Sequence, residues 1–322
     1  MTIPMPPEWA PQEWLWIGFP HLAEEWPGYL ARAQEQIAGF ANAVAESGQE
    51  VRLLVRDDAN EARARELVSN AVRLEQRVYG DIWLRDTGPL ILGDGSALRC
   101  RFNGWGGKYE MPGDERIGAE LARDAGLALV ESDWILEGGA LDGDGTGTVL
   151  TTEQCLLNPN RNPELSRADI EMRLERDLGF TRVVWLGEGL VNDHTDGHVD
   201  NLARFVAPGE VALPLATGSD DPNAAIYADA RARLLDAGLT VHDIPSPGLI
   251  ERDGLIEPAS YVNFAITTNL VVVPTFGSPH DADGVAAIAA LFPDRETIGL
   301  PGCAVLAGGG GFHCASQQMP RL

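Results

Sequence analysis

A cysteine near the end of the chain has sequence surroundings suited to a nucleophile. Cys314 follows four successive glycines in the segment GGGGFHCASQQMP, and no second cysteine stands at metal-ligand spacing. Glycines allow main-chain N–H groups and a ligand to come close to the sulfur. This setting is expected to lower the pKa of the thiol and to favour the reactive thiolate. The sequence therefore predicts cysteine-based catalysis, with a flexible tail and an incidental cysteine as the alternative.

The densest group of acid–base side chains is HTDGHVDN, residues 194–201. Gly197 argues against a helix, and the residues that follow predict a strand over 199–206. In a strand, residues two apart share a face, so His198 and Asp200 are expected to point the same way. An imidazole beside a carboxylate can move protons in general acid–base catalysis.

A metal site is the alternative for the same segment. His194 and His198, with Asp196 or Asp200, offer nitrogen and oxygen ligands. A zincin-type site needs both histidines on one helix with a glutamate between them, and here a glycine interrupts the helix and no glutamate intervenes. The sequence therefore favours acid–base chemistry without a metal.

Two further carboxylates stand beside predicted strands. Asp86 lies with Trp83 in WLRDTGP, where a carboxylate can hold a cation while the indole covers the cation's apolar stem. The alternative is an aspartate in a turn before Gly-Pro. Glu137 lies between an apolar run and two glycines. It can orient a neighbouring histidine there, or be exposed in a loop.

The elements that position these residues follow a recurring pattern. Amphipathic helices that stop at a glycine or proline lead directly into β-rich runs. The stops are Gly48, Gly126, Gly179, Gly238 and Pro293, and the strands predicted after them are 51–55, 127–132, 183–186, 239–244 and 297–300. Further strand candidates are 88–94, 97–102, 148–157, 199–206, 210–216 and 262–276.

This pattern predicts the fold class. A doubly wound sheet alternates strands and helices one for one, and this chain has more strands per helix. We expect one α/β domain over residues 1–322, built from five ββαβ-type units around a central axis. Two α/β domains that meet near residue 180 are the alternative.

Composition limits the classes of partner. The 322 residues are 44% hydrophobic and 22% charged, as in globular proteins. A net charge of −24 argues against nucleic acid and anionic membranes as partners and is compatible with a cationic substrate, with solubility or adaptation to salt as the simpler reason for it. No secretory signal or membrane-spanning run is visible, and the four cysteines are far apart, so a reducing cytoplasm is expected. The oligomeric state is open, a homo-oligomer included.

Six motifs occur in an order that resembles a known family. They are WLRDTGP, FNGWGGKY, LEGGALDGDG, HTDGHVDNLARF, PASYVNFAITTN and GGGGFHCASQQMP, and with MPPEWAPQEWLWIGFPH at the start the match extends over essentially the whole chain. The set is similar to the agmatine deiminase and Porphyromonas-type peptidylarginine deiminase family. The resemblance implies the pentein fold, a five-bladed α/β propeller. It also implies hydrolysis of a guanidino group without a metal or organic cofactor, with agmatine as the leading substrate in putrescine biosynthesis.

The resemblance implies a role for each matching catalytic residue. Cys314 would attack the guanidinium carbon. His198 would protonate the departing ammonia and then activate the water that resolves the thiouronium intermediate. Asp86 and Asp200 would hold the guanidinium nitrogens, and Glu137 would be the partner of the histidine.

The substrate-binding residues implied by the resemblance are Trp83 and Trp105 along the aliphatic stem, with His194 and Asn263 nearby. His194 is a departure from the family pattern. Many agmatine deiminases carry an acid four positions before the catalytic histidine, where it can help to recognise a distal amine. The chain is also short for the family, so the loops that cap the substrate are expected to be trimmed.

Several other functions use the same residues and stay open. Hydrolysis of peptidyl arginine or of free arginine derivatives, dimethylarginine hydrolysis and amidino transfer would all use the cysteine, the histidine and the carboxylates. A cysteine protease would combine His198, Asn263 and Cys314. A metal hydrolase would be centred on His194 and His198, and a binding module would keep the scaffold without turnover.

Overall fold

The computed structural model describes residues 4–322. Its strands are β1 Gln12–Gly18, β2 Glu50–Val55, β3 Val72–Gln76, β4 Leu90–Ile91, β5 Ser96–Arg101, β6 Ala128–Ile135, β7 Asp142–Gly143, β8 Thr148–Thr152, β9 Arg182–Leu186, β10 Arg204–Ala207, β11 Glu210–Leu215, β12 Thr240–Pro245, β13 Glu251–Arg252, β14 Leu255–Ile256, β15 Ala265–Ile266, β16 Leu270–Thr275, β17 Glu296–Pro301 and β18 Ser316–Pro320. Its helices are α1 Leu30–Glu46, α2 Asp58–Leu67, α3 Leu84–Thr87, α4 Gly104–Gly107, α5 Asp114–Asp124, α6 Glu153–Leu156, α7 Arg167–Leu178, α8 Ala224–Asp236, α9 Asp281–Ala289 and α10 Cys303–Leu306.

Five of the sheets share one strand order. In each, a first strand pairs antiparallel with a second, and a third strand pairs parallel with the second after a helical crossover. The five sheets are β18–β1–β2, to which β3 adds a fourth strand, β4–β5–β6, β7–β8–β9, β10–β11–β12 and β15–β16–β17. A separate hairpin joins β13 and β14. The predicted α/β class is therefore confirmed.

The candidate site residues occupy equivalent places in these five sheets. Each lies within five residues before the first strand of a different sheet: Asp86 before β4, Glu137 before β7, Asp200 before β10, Asn263 before β15 and Cys314 before β18. Segments that enter a sheet at the same place can converge, because the repeated topology presents them in the same way. The repeat thus brings residues far apart in sequence to one site.

The core of the first sheet also anchors the cysteine segment. Helix α1 buries Ala33, Ile37, Phe40 and Val44, whose spacing of three and four residues forms one apolar face. The Phe40 ring lies 4.8 Å from the ring of Phe312, centroid to centroid. Because Phe312 precedes Cys314 by two residues, the packing of α1 holds the nucleophile segment in place.

One predicted strand is wrong over its first half. Residues Val199–Asn201 form a 3₁₀ turn, in which Leu202 N donates to Val199 O at 2.9 Å, and the strand begins only at Arg204. The Thr195 hydroxyl accepts the His198 N–H at 3.0 Å and fixes the start of this turn. His198 and Asp200 are therefore not on one face of a strand.

Two other predicted strands are shorter than expected. The segment 148–157 leaves the sheet at Thr152, whose hydroxyl accepts the Cys155 N–H and begins helix α6. The segment 262–276 contains a turn, because β15 and β16 form an antiparallel pair within it. Among the described residues, no helix is both long enough and apolar enough to cross a membrane.

Candidate active site

A cavity of about 530 Å³, open to solvent, collects five of the residues singled out from the sequence. Trp83, Asp86, Trp105, His194 and Cys314 line it. The acidic residues Glu25 and Asp81 and the ring of Tyr109 also line this cavity. The cavity is thus aromatic and acidic, and its lining includes a thiol.

Cys314 is buried in a close-packed segment. Asn263 Nδ2 donates to its sulfur at 3.1 Å, and the thiol donates to Asp200 Oδ2 at 3.4 Å. A Cβ on Gly308 would lie 2.3 Å from the Trp26 ring, and a Cβ on Gly310 would lie 2.7 Å from the Trp83 ring. The glycines therefore let the chain pass directly over these rings, and the alternative of a flexible tail is wrong.

The expected lowering of the cysteine pKa is wrong for the protein without a bound cation. Burial raises the pKa of the Cys314 thiol well above its usual range, and the nearby carboxylates of Asp200 and Asp86 raise it further. A hydrogen bond from the Gly311 backbone acts in the lowering direction and is weaker. The proton therefore stays on the sulfur until a positive charge enters the site.

Asp86 is a buried carboxyl group with only neutral donors. Gly139 N donates to Oδ1 at 2.8 Å, and the Trp105 indole N–H donates to Oδ2 at 3.0 Å. Within residues 4–322 no arginine or lysine pairs with it. Burial raises the pKa of Asp86 well above its usual range, and the charges of Asp200 and Glu137 add to this shift. A bound cation would reverse the effect.

His198 is fully buried between two acids. Its Nδ1 lies 3.6 Å from Asp86 Oδ1, and its Nε2 lies 4.0 Å from Glu137 Oε2. Burial lowers the pKa of His198 to about 3, so the ring is neutral near pH 7. A Cβ on Gly139 would lie 2.6 Å from His198 Nδ1 and 3.1 Å from Asp200 Oδ2. The imidazole and both aspartates therefore converge where glycine leaves space.

Asp200 differs from Asp86 in having a permanent donor. Its Oδ2 accepts a hydrogen bond from His313 Nδ1 at 2.7 Å. Burial acts to raise the pKa of Asp200, but the hydrogen bond and charge of His313 outweigh it, and the pKa falls below its usual value. Asp200 therefore has a permanent donor that favours its ionised form, whereas Asp86 would gain comparable stabilisation of its charge only from a bound cation.

Four buried polar atoms at this point have no hydrogen-bond partner among the described residues. They are Glu137 Oε2, Asp200 Oδ1 and both ring nitrogens of His198. Unpaired buried polar atoms are costly, and native proteins rarely keep several together without a use for them. The cluster is suited to a planar ligand that presents several N–H groups.

With this geometry established, comparison with known proteins identifies the family. The family model for Porphyromonas-type peptidyl-arginine deiminase matches residues 4–320. The chain belongs to this family. It is 37% identical to an agmatine deiminase of Stutzerimonas stutzeri strain A1501, over 98% of this chain and 95% of that protein. That alignment spans 355 positions against the 322 residues here, so the relative carries insertions that this chain lacks.

Solved structures of family members have the same fold. The agmatine deiminase of Enterococcus faecalis superposes with a TM-score of 0.93 at 32% identity, covering 99% of this chain and 96% of that one. A cysteine-to-serine variant of the C. jejuni agmatine deiminase, with substrate bound, superposes with a TM-score of 0.91 at 27% identity, with coverage of 99% and 96%. This peptidyl-arginine deiminase family member therefore has the α/β fold of solved agmatine deiminases.

The remaining predicted residues lie at the site in this family member. Asn263 contacts the Cys314 sulfur from outside the cavity. His194 lies at the cavity wall, and its ring stacks on Tyr109 with centroids 6.2 Å apart. The structure therefore brings all nine candidate residues to one place, although His198 and Asp200 arrive by a turn rather than by a strand.

Two ion-pair networks support the site, one buried and one that extends from buried to exposed side chains, and sequence reasoning missed most of their members. The outer network joins Glu137 Oε1 to Arg161 at 2.6 Å, Arg161 to Asp196 at 2.7 Å and Asp196 to Lys108 at 2.7 Å. The inner network consists of Glu8, Asp142, Asp200, Arg204 and His313. His313 could have been predicted, because it is adjacent to Cys314 in the glycine-rich motif. Arg161 lies in a loop that contains no motif to indicate its role.

One group of side chains in the described part of the chain has the spacing of a metal site. Ligand atoms of Glu137, Cys155 and His198 lie within 4.8 Å of one another, all buried. A divalent cation there would occupy the atoms of His198 and Glu137 that face each other, and it would lie near the Arg161 guanidinium. His194 is not part of this group, so the alternative site built on His194 and His198 is not supported.

Proposed function

We propose that this protein is a deiminase that hydrolyses agmatine to N-carbamoylputrescine and ammonia through a covalent Cys314 intermediate. One observation carries the proposal: Asp86 is a buried carboxyl group without a cationic partner, and it lines the same cavity as Cys314. A guanidinium ion is planar, permanently charged and rich in N–H donors. The agmatine deiminase relatives support the same assignment.

Binding would satisfy the unpaired atoms of the site. The guanidinium N–H groups would donate to Asp86, to Asp200 Oδ1 and to Glu137 Oε2, the last two of which have no partner otherwise. Trp83 and Trp105 would flank the aliphatic stem. Placing the guanidinium carbon beside the sulfur contributes to catalysis, because well-oriented reactants save part of a possible ~7–11 kcal/mol.

The first half of the reaction uses the proton stored on sulfur. The bound cation stabilises the thiolate, and the Cys314 proton passes to neutral His198. The thiolate adds to the guanidinium carbon. The C–N bond then breaks as the imidazolium gives its proton to the departing nitrogen, which leaves as ammonia. A thiouronium cation remains on the sulfur.

The second half restores the enzyme. Water adds to the thiouronium carbon while its proton passes to His198. The C–S bond breaks with its electron pair on the sulfur, and the hydroxyl proton of the adduct returns to the thiol as the ureido product forms. His198 then releases its proton, which converts ammonia to ammonium in solution. Glu137 keeps the imidazole oriented throughout.

The acidic lining of the cavity favours a substrate with a second positive charge. Glu25 and Asp81 line it, and no arginine or lysine is part of its lining. Two acids would attract the ammonium group of agmatine and repel the α-carboxylate of arginine. Peptidyl arginine is the second candidate, supported by the family model that matches the chain.

The proposal includes the finer features of the family. The five sheets of common strand order would surround one axis as a pentein propeller, in a single catalytic domain over residues 1–322. The enzyme would act in the cytoplasm in putrescine biosynthesis, on a small cation and without a metal or organic cofactor. All four cysteines are free thiols, as a reducing compartment requires.

A ureido-product assay tests the function. Agmatine, arginine, dimethylarginine and a peptide ending in arginine are compared, with ammonia release measured in parallel. Agmatine should give the highest kcat/KM, and chelator should not reduce it. Cys314→Ala should abolish turnover, whereas Cys303→Ala, at an exposed thiol, should keep it. Turnover by Cys314→Ala, or no ureido product from any of the four compounds, would refute the proposal.

A second variant tests how the distal amine is recognised. His194→Glu would place a fourth acid in the cavity lining, which already contains Glu25, Asp81 and Asp86. The ratio of kcat/KM for agmatine to that for butylguanidine, which has no distal amine, should increase. An unchanged ratio would show that position 194 does not contact the amine.

A further inference from the structure

The chain contains a single lysine, and it lies beside the catalytic cavity. Of the 24 basic residues other than histidine, 23 are arginines and the remaining one is Lys108. Lys108 belongs to the segment of residues 103–109, called here the tryptophan loop because Trp105 is at its centre. Its ammonium group donates to His194 O and to Asp196 Oδ1, both at 2.7 Å. The lysine is therefore the outer attachment of this loop.

The backbone of the tryptophan loop needs external support. Gly104, Trp105, Gly106 and Gly107 all have positive φ, which makes one left-handed turn. A tryptophan at φ 53° is in a conformation that L-residues adopt only when their surroundings hold them there. Contacts with neighbouring segments supply this support: Asn103 Nδ2 donates to Asn160 O at 2.9 Å, and Tyr109 stacks on His194.

The same loop is connected to Asp86 and to Glu137, the two acids that face the ring nitrogens of His198. The Trp105 indole donates directly to Asp86. Lys108 reaches Glu137 through two intermediates, because Asp196 also accepts from Arg161 and Arg161 donates to Glu137 Oε1. The loop backbone touches this path as well, since a Cβ on Gly106 would lie 2.7 Å from Arg161 Nη1.

We propose that Lys108 is a positioning residue that holds the tryptophan loop over the cavity and, through Asp196 and Arg161, sets the orientation of Glu137 toward His198. The inference rests on the proposed function, because it assigns Glu137 and His198 to acid–base work. It goes beyond that function by making one exposed salt bridge a determinant of the catalytic pair. The position of the tryptophan loop and the orientation of Glu137 toward His198 then depend on the same salt bridge.

The electrostatics of His198 are consistent with this connection. Burial is the largest cause that lowers the pKa of His198, and the charges of Arg161 and Lys108 act in the same direction. The carboxylates of Asp200 and Asp196 act in the opposite direction. Asp86 and Glu137 face the two ring nitrogens. Loss of the lysine charge should therefore raise the pKa of His198.

Variants at position 108 provide the first test, with agmatine as the substrate. Lys108→Met should lower kcat/KM about tenfold, equivalent to one charge-assisted hydrogen bond, and should move the low-pH limb of kcat/KM to higher pH. Lys108→Arg keeps the charge and should return that limb to the wild-type position. Arg65→Met, which breaks an exposed ion pair on helix α2, is the matched control. A Lys108→Met enzyme with the wild-type pH profile would overturn the proposal.

Two adjacent glycines provide a second test that leaves the lysine in place. Gly106 and Gly107 have φ of 83° and 80°, so alanine is equally strained at both. Only the Gly106 Cβ would displace Asn160 and Arg161, because no atom lies within 4 Å of a Cβ on Gly107. Gly106→Ala should lower kcat about tenfold more than Gly107→Ala. Equal effects would show that Arg161 does not transmit the position of the loop.

A third experiment needs no substrate. Trinitrobenzenesulfonate modifies amines, and Lys108 is the only side-chain amine in this chain, so the reaction is followed on the trinitrophenyl-lysine product in the Cys303→Ala background. In the ligand-free protein, Asp196→Asn should make Lys108 react several-fold faster, whereas Asp243→Asn, at an exposed ion pair, should not. Unchanged reactivity would show that Asp196 does not hold the lysine. If the reactivity rises but no variant makes ureido product, the proposed function fails and the attachment of the loop stands.

Discussion

The two ion-pair networks beside the cavity differ in their access to solvent. The inner network is enclosed throughout: the side chains of Arg204, Asp200 and His313 are 0%, 0% and 3% exposed. The outer network is graded. Exposure rises from 0% at Glu137 and Arg161 to 20% at Asp196 and 34% at Lys108. The inner network is closed to solvent, and the outer network leads from Glu137 to the surface.

This difference separates two tasks that charged residues perform in an active site. The inner network joins Glu8, before the first strand, to Arg204 at the start of β10 and to His313 beside the nucleophile. Removing one partner there leaves a buried charge unpaired, which is strongly destabilising. The exposed end of the outer network is weak by comparison, so it can break without unfolding the protein. Buried ion pairs such as those of the inner network maintain the scaffold, and partly exposed ones such as Lys108–Asp196 can adjust catalysis.

The largest expected effect is on stability. Arg204→Met should reduce the free energy of unfolding by about 3–5 kcal/mol, because Glu8 and Asp142 lose their buried partner. Lys108→Met should reduce it by less than about 1 kcal/mol. Urea denaturation of both variants measures the difference. Similar losses in the two variants would remove the distinction between the networks.

The pH dependence of stability should also come from the inner network. Burial acts to raise the pKa of Glu8, but Arg204, His313 and Arg85 outweigh it and hold the pKa far below its usual 4.5. The unfolded chain therefore takes up this proton first as the pH falls, and the stabilisation is present above about pH 4.5 and lost below it.

Glu8→Gln tests this sign. The variant should be less stable at pH 7, but its free energy of unfolding should fall less steeply than that of the wild type between pH 4.5 and 3. Glu61→Gln, in an exposed pair on α2, should retain the wild-type slope. Parallel curves for Glu8→Gln and the wild type would contradict the assignment.

A smaller effect is expected where the inner network meets the reaction. His313→Gln removes the hydrogen bond that keeps Asp200 ionised. A charge-assisted hydrogen bond contributes about 1.5–3 kcal/mol, so kcat should fall about 10–100-fold. His242→Gln, in a surface pair with Glu210, is the control and should be near normal. Turnover within twofold of wild type would remove His313 from the support of the site.

The smallest effect is a response to salt. Raising the ionic strength from about 0.1 M to 1 M shortens the Debye length from about 10 Å to about 3 Å. The KM for agmatine should rise a few-fold, because salt screens the attraction of the acidic protein for the cation and also reaches the exposed end of the outer network. Part of this salt effect should disappear in Lys108→Met. If the wild type and Lys108→Met respond identically to salt, the acidic surface and not the outer network causes the rise in KM.

The sequence predicted the helices and strands better than it predicted the pKa shifts and ion pairs of the site. Helix stops such as Gly126 and Gly179 are local signals, and both helices end where expected. The strand at 199–206 was partly wrong because Thr195 and the 3₁₀ turn after it impose a local structure that apolar periodicity does not reveal. The predicted lowering of the Cys314 pKa was wrong because the fold buries the thiol and brings close to it the carboxylates of positions 200 and 86. Arg161 was missed for the same reason.

The position of β18, the strand that follows Cys314, bears on how the enzyme loses turnover on heating. Cys314 stands two residues before β18, which is an edge strand held on one side only, by antiparallel pairing with β1. Fraying of that edge would let the sulfur drift from its partners. Because all five residues of β18 are buried, this drift requires the surrounding core to open, so on heating the enzyme should lose turnover and tertiary structure at the same temperature.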